Sequence, residues 1–235
     1  MKKKTIIIVA VIIVALIGGG GIIFYYNYQN SHYISTDDAQ VTADMVTVMP
    51  QVNGAIKSWA AQVGDTVAKG AVLGTQETDT MLDSISSQLT TPQALQAETK
   101  LLASKADIKS PIGGKVIQIS AIDGQMVSTS TSVAVVADTA DAYITANIKE
   151  VDIRDVKAGQ TVTITIDAYK GQSFKGKVES IGQATKSTFA LLSAQNASGS
   201  YTKVTQLVPI KISIVNQDNC NLMPGMNASV KIEKK

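Results

Sequence analysis

The hydrophobic and polar positions change period several times along the chain, and each change marks an element. Thr5 to Tyr26 is almost wholly apolar and carries no charge. As a helix, about twenty such residues cross a bilayer core of roughly 30 Å. Residues 27–38 are polar and predict a linker. Ala39 to Met49 alternates loosely, with Val41, Met45, Val46 and Val48 apolar, and predicts extended strand. Short apolar runs broken by Gly54, Gly64, Gly70 and Gly74 continue to Gln76, as short strands joined by tight turns would. Asp65 to Gly70 reads as a hairpin connection leading into Ala71-Val72-Leu73.

Between Glu77 and Ala106 glycine disappears and apolar residues fall three and four apart at Met81, Leu82, Ile85 and Leu89. Leu95, Leu101 and Leu102 continue this less regularly. Thr90-Thr91-Pro92 interrupts the run, and Pro92 suits the first turn of a second helix. The stretch predicts a short antiparallel helical hairpin with its tip at Thr90, Thr91 and Pro92, each arm about 15–20 Å long.

Beyond the hairpin, period two returns. Val162, Ile164 and Ile166 alternate with polar residues, as do Val208, Ile210, Ile212 and Ile214, and again Met226, Ala228, Val230 and Ile232. These runs predict half-buried antiparallel strands of a small β-barrel. Pro209 cannot donate to a ladder, so its strand is expected to start there or lie at an edge. Lys149 to Val156 predicts one short helix ending near Gly159, and Ser193 to Ser200 a flexible loop.

One unit occurs twice, sixty positions apart. Asn53-Gly54-Ala55-Ile56 followed by Val63-Gly64-Asp65-Thr66-Val67 matches Gly113-Gly114-Lys115-Val116 followed by Asp123-Gly124-Gln125-Met126-Val127. Pro50 and Pro111 stand upstream of the two copies. Such a repeat predicts one small β domain of two pseudo-equivalent halves. Gly54, Gly64, Gly114 and Gly124 are its candidate structural turns.

The predicted organisation is therefore mainly β. It runs from a basic start at 1–4 through a transmembrane helix at 5–26 and a linker at 27–38. A first β half at 39–76, the helical hairpin at 77–106 and a second β half at 107–138 follow, and the barrel occupies 139–235.

Composition narrows the function. The net charge of +2 leaves nothing to suggest a nucleic-acid partner. Lys2 to Lys4 place the N-terminus in the cytoplasm and the bulk of the chain outside, on a single-pass anchor in the cell membrane. Phe24, Tyr25, Tyr26 and Tyr28 stand where an interfacial aromatic belt belongs. A cleaved signal peptide is the competing reading, but the apolar run is long and no Ala-x-Ala site follows it. Ala15 and Gly18 to Gly21 are candidate residues for close helix packing against a membrane partner, with a merely lipid-facing glycine run as the alternative. Cys220 is alone, so no internal disulfide can form. His32 has no partner cluster, and the adjacent carboxylates Asp37 and Asp38 read as linker polarity. No catalytic, metal or cofactor motif is present, and the chain reads as no enzyme.

The two β halves resemble a biotinyl/lipoyl domain. That family carries its modified lysine on a tight turn between the halves, whereas this chain has the helical insertion there, with Lys100 and Lys105 in helix-like sequence. The resemblance therefore argues against a swinging-arm carrier. The order of anchor, split lipoyl-like domain, hairpin and barrel resembles the HlyD family of membrane fusion proteins (periplasmic adaptors), especially its EmrA type. Matching segments are Tyr33 to Ala39, Pro50 to Gly54, Gly64 to Gly70 and Ser110 to Val116. In the barrel they are Ala146 to Glu150, Gly159-Gln160, Phe174 to Val178, Val208 to Ile210 and Met223 to Met226. The resemblance implies an accessory subunit of multidrug export, beside a major-facilitator transporter and self-associated into a ring or other homo-oligomer. An adaptor of an ABC-type peptide or toxin exporter is the alternative, and an extracytoplasmic lipoyl-like carrier or a cell-wall binding protein are more distant ones. Gram-negative relatives carry a long coiled-coil hairpin; the short one here argues against an outer-membrane channel as partner.

Overall fold

The structure, a computed structural model, describes residues 16–17, 19–20, 32–77, 92–188, 205–215 and 220–234. Strand β1 (Tyr33–Thr42) is followed by β2 (Met45–Val48), β3 (Gly54–Trp59), β4 (Thr66–Val67) and β5 (Val72–Gln76). Helix α1 (Pro92–Ala106) leads directly into β6 (Asp107–Lys109), then β7 (Gly114–Ile119), β8 (Met126–Val127) and β9 (Ala134–Ala137). Strand β10 (Tyr143–Lys149), a 3-10 turn at Ile153–Asp155, β11 (Thr161–Ile166), β12 (Phe174–Ile181), β13 (Leu207–Val215) and β14 (Asn227–Glu233) complete the order. The chain forms two compact units, one of Met1–Val41, Tyr143–Asn221 and Gly225–Lys235, the other of Thr42–Ala142 and Leu222–Pro224.

In the second unit the sequence repeat becomes a topology. Its sheets run β2-β9-β7-β4 and β6-β5-β3-β8. Adding sixty to the numbers of β3, β4 and β5 reaches β7, β8 and β9, while β2 and β6 take matching end positions. Each half lends its short strand to the other half's sheet: β4 pairs with β7 and β8 with β3. Thr66–Val67, within the stretch that the sequence predicts as a hairpin connection, is therefore a strand that crosses to the other half. The core between the sheets holds the equivalent pairs Ile56 and Val116, and Leu73 and Val133, with Val48, Ile108, Val127, Ala134 and Val136. Burying each large aliphatic side chain contributes about 1.5–3 kcal/mol.

The first unit is a closed barrel in the order β1-β10-β13-β12-β11-β14. The three alternating runs lie on β11, β13 and β14, with their apolar members buried except the half-buried Met226, just before β14. The segment 27–38, expected as linker, contains Tyr33 to Asp38 of β1, and this strand pairs with β14 from Tyr33↔Glu233 to Gln40↔Asn227. The Lys231 ammonium lies 4.1 Å from the centre of the Tyr33 ring, and the Lys234 amide donates to the His32 carbonyl at 2.8 Å.

Pro209 does not begin its strand and lies on no edge; it is the third residue of β13, between β10 and β12. It stands opposite Asn147, and its carbonyl accepts from the Gly182 amide just past the end of β12. Its missing N–H thus falls where the β12 ladder has run out. The helix expected over Lys149 to Val156 shrinks to the 3-10 turn at Ile153–Asp155, because Lys149 still belongs to β10.

Candidate functional site

The anchor predicted over 5–26 lies outside the described residues, apart from Leu16, Ile17, Gly19 and Gly20, which are helical and exposed. Among the described residues no helix is long and apolar enough to cross a membrane. Ala15, Gly18 and Gly21 are not described, and a methyl group on Gly19 or Gly20 would meet nothing within 4 Å. Of the hairpin, α1 is described and starts at Pro92; Thr90, Thr91 and the first arm after Glu77 lie outside the described residues. The C-terminal end of α1 buries Leu102 and Ala106, one turn apart, and leaves Leu101 exposed.

The four candidate turn glycines divide into two kinds. Gly64 and Gly124 have φ of +98° and +81°, with open space where a side chain would project. Gly54 and Gly114 sit at close approaches. A Cβ at Gly54 would lie 2.6 Å from the Glu77 carbonyl oxygen, and one at Gly114 would overlap the Ala137 carbonyl. The first pair supplies backbone freedom, Gly54 supplies room, and Gly114, at a φ of +153°, supplies both.

A further site emerges where β1 meets β10. Along β1 the inward positions pass from even numbers (Ile34) to odd ones (Ala39, Val41). A bulge makes the switch: between Thr36↔Val230 and Ala39↔Ala228, Asp37 and Asp38 occupy the space of one residue. Side chains knit the barrel wall at this place. The Thr36 hydroxyl donates to the Asn147 carbonyl at 3.0 Å, and Asn147 Nδ2 donates to Asp38 Oδ1 at 2.9 Å. A cavity of about 280 Å³ opens beside these bonds, lined by Ile34, Ser35, Thr36, Asp38, Asn147, Ile148, Lys149, Asp152 and Leu207. A wider cleft of about 580 Å³ is lined by Glu150, Ile153, Gln183, Thr185, Thr188 and Val208, among others.

Asp37 and Asp38 read in the sequence as linker polarity, and the structure overturns that reading. The parity break between Ile34 and Ala39 is the sequence signal for the bulge. The segments Tyr33 to Ala39 and Ala146 to Glu150, distant in the chain, supply much of the cavity wall.

Comparison with known proteins agrees with this architecture. Residues 142–232 match the YknX-like beta-barrel domain, and residues 44–138 match the CzcB-like barrel-sandwich hybrid domain. The chain is 39% identical over 206 residues to YhbJ of Bacillus subtilis, named as a putative efflux system component, with 88% of this chain and 82% of that protein covered. The chain belongs to the HlyD family of membrane fusion proteins. Within this family, the multidrug export protein EmrA of Escherichia coli is 31% identical over 192 residues, covering 79% of this chain. The chain spans less than half of that relative's length, 45%. A solved chimera of MacA and MexA, carrying the Pseudomonas aeruginosa MexA α-hairpin domain, shares the fold at a TM-score of 0.65 and 23% identity, covering 87% of this chain and 82% of the chimera. The HlyD-family chain is thus an adaptor of the efflux type, related to EmrA.

Proposed function

We propose that this adaptor serves multidrug export beside a major-facilitator transporter in the cell membrane. Similarity to an efflux system component over 88% of the chain carries the reading. Residues 5–26 would form the single-pass anchor, with the N-terminus in the cytoplasm and the barrel and barrel-sandwich units outside. Ala15 and Gly18 to Gly21 would let the anchor helix approach the transporter closely. Copies of the adaptor would associate head to tail into a ring around the exit path, a heterologous arrangement that closes by rotation. Thr90, Thr91 and Pro92 would form the contact tip of a hairpin too short to reach an outer-membrane channel. Gly54, Gly64, Gly114 and Gly124 would hold the two lipoyl-like halves in the geometry that this stacking requires.

The test is deletion of the chain in its host, with resistance measured across a panel of amphiphilic drugs. Loss of resistance, restored by the chain only when the transporter gene is intact, is expected. Unchanged resistance together with impaired peptide export would move the assignment to an ABC exporter. Unchanged export of both classes would overturn the efflux reading.

A further inference from the structure

The cavity at the β1–β10 join has the make-up of a ligand site. Ile34 and Ile148 are buried barrel residues, and with the half-buried Leu207 they give it an apolar floor. Two carboxylates, Asp38 and the half-buried Asp152, line the same space. Asp38 Oδ1 is held by Asn147 Nδ2, which keeps this carboxylate at the bulge. Among the described residues the salt bridges are Lys109–Asp107, Lys211–Glu179 and Lys234–Asp155, so neither cavity carboxylate is neutralised by one. Lys149, the third charged residue of the lining, is exposed and shares no salt bridge with them. The charged lining is therefore two acids to one base over an aliphatic floor.

That combination selects a class of ligand. An anion would meet two carboxylates, and a purely polar cation would leave the aliphatic floor unused. A small amphiphilic cation satisfies both, its apolar part against Ile34, Ile148 and Leu207 and its charge toward Asp38 and Asp152. The volume of about 280 Å³ restricts the ligand to a small molecule or to one end of a larger one. We propose that the β1–β10 cavity binds a small organic ammonium ion through Asp152 and Asp38 over this aliphatic floor. The site adds to the adaptor reading and needs no particular transporter.

Calorimetric titration of the full chain in detergent with benzyltrimethylammonium tests this, with benzenesulfonate as the anionic counterpart. The cation should bind and the sulfonate should not. Asp152→Asn should weaken cation binding about two- to fivefold, the range of a partly solvated charge pair. Lys149→Met, which removes the opposing charge from an exposed position, should strengthen it. Absence of cation binding at millimolar concentration, equal binding of the sulfonate, or affinity unmoved in both variants would overturn the proposal. Because no transporter is present in the titration, a negative result removes this site and leaves the resistance assay to judge the adaptor reading.

Discussion

The amide of Gly64 donates to the carbonyl of Val116 at 2.8 Å, binding the turn of one half to the central strand of the other. Sixty residues on, the Gly124 amide donates to the Ile56 carbonyl at 2.7 Å. The return bonds match as well, from Val116 to Asp65 and from Ile56 to Gln125, both at 2.9 Å. The two halves are thus interlocked by a reciprocal set of contacts, each made in duplicate. This explains why the unit tolerates a helical insertion between them: the insertion leaves β5 and re-enters at β6, outside the interlocked turns.

Gly64→Ala and Gly124→Ala should each destabilise the barrel-sandwich unit by about 1–2 kcal/mol, because both occupy positive φ with space for a methyl group. Gly114→Ala should cost well beyond that, since its Cβ would overlap the Ala137 carbonyl. Denaturant unfolding followed by Trp59, the only tryptophan and a residue of this unit, measures the difference. Equal losses at Gly64 and Gly114 would contradict the distinction.

Gln76 is buried where the other half has Val136, and its Nε2 donates to the Val52 carbonyl at 3.1 Å. Gln76→Glu should destabilise the unit, and more at pH 8 than at pH 5. Burial raises the folded-state pKa of the new carboxyl, so the neutral acid, which can still donate to Val52, is kept at low pH and lost as pH rises. The same stability at both pH values, corrected for the parent protein, would refute this.

At the barrel join, Thr36→Val removes the hydroxyl that bonds the Asn147 carbonyl while keeping the side-chain shape. It should cost about 1 kcal/mol. Hydrogen exchange of β1 and β10 amides should quicken more than that of β12; uniform quickening would show that the bond is not local to the join.

Replacing Thr90-Thr91-Pro92 by a Gly/Ser loop should leave folding intact, read from circular dichroism, but reduce assembly and export. Export at the parent level would remove any need for a tip contact.

Much of this architecture is legible in the sequence because one-sided burial imposes period two. Val162 to Ile166, Val208 to Ile214 and Ala228 to Ile232 declare their strands, and the sixty-residue repeat declares the two halves. What escapes is pairing between distant segments. Nothing local to Tyr33 says that it will lie opposite Glu233, so Tyr33 to Asp38, the first part of β1, read as linker. Its bulge also hides the alternation by switching parity between Ile34 and Ala39. The crossing of Thr66–Val67 to β7 is likewise fixed by interlock and not by any turn signal within Asp65 to Gly70. Asp38 and Asp152 come together only when the barrel closes, so no motif search along the chain finds them.

The central claim, that the chain is the adaptor of a membrane exporter, is tested most directly by purifying it at native levels from its own membranes. Cross-linking before detergent extraction and mass spectrometry of the complex give the readout. The account predicts a major-facilitator transporter recovered with several copies of the adaptor, lost when Gly18 to Gly21 are replaced by leucines. Recovery of the adaptor without any transporter, under cross-linking that captures its own copies, would contradict it.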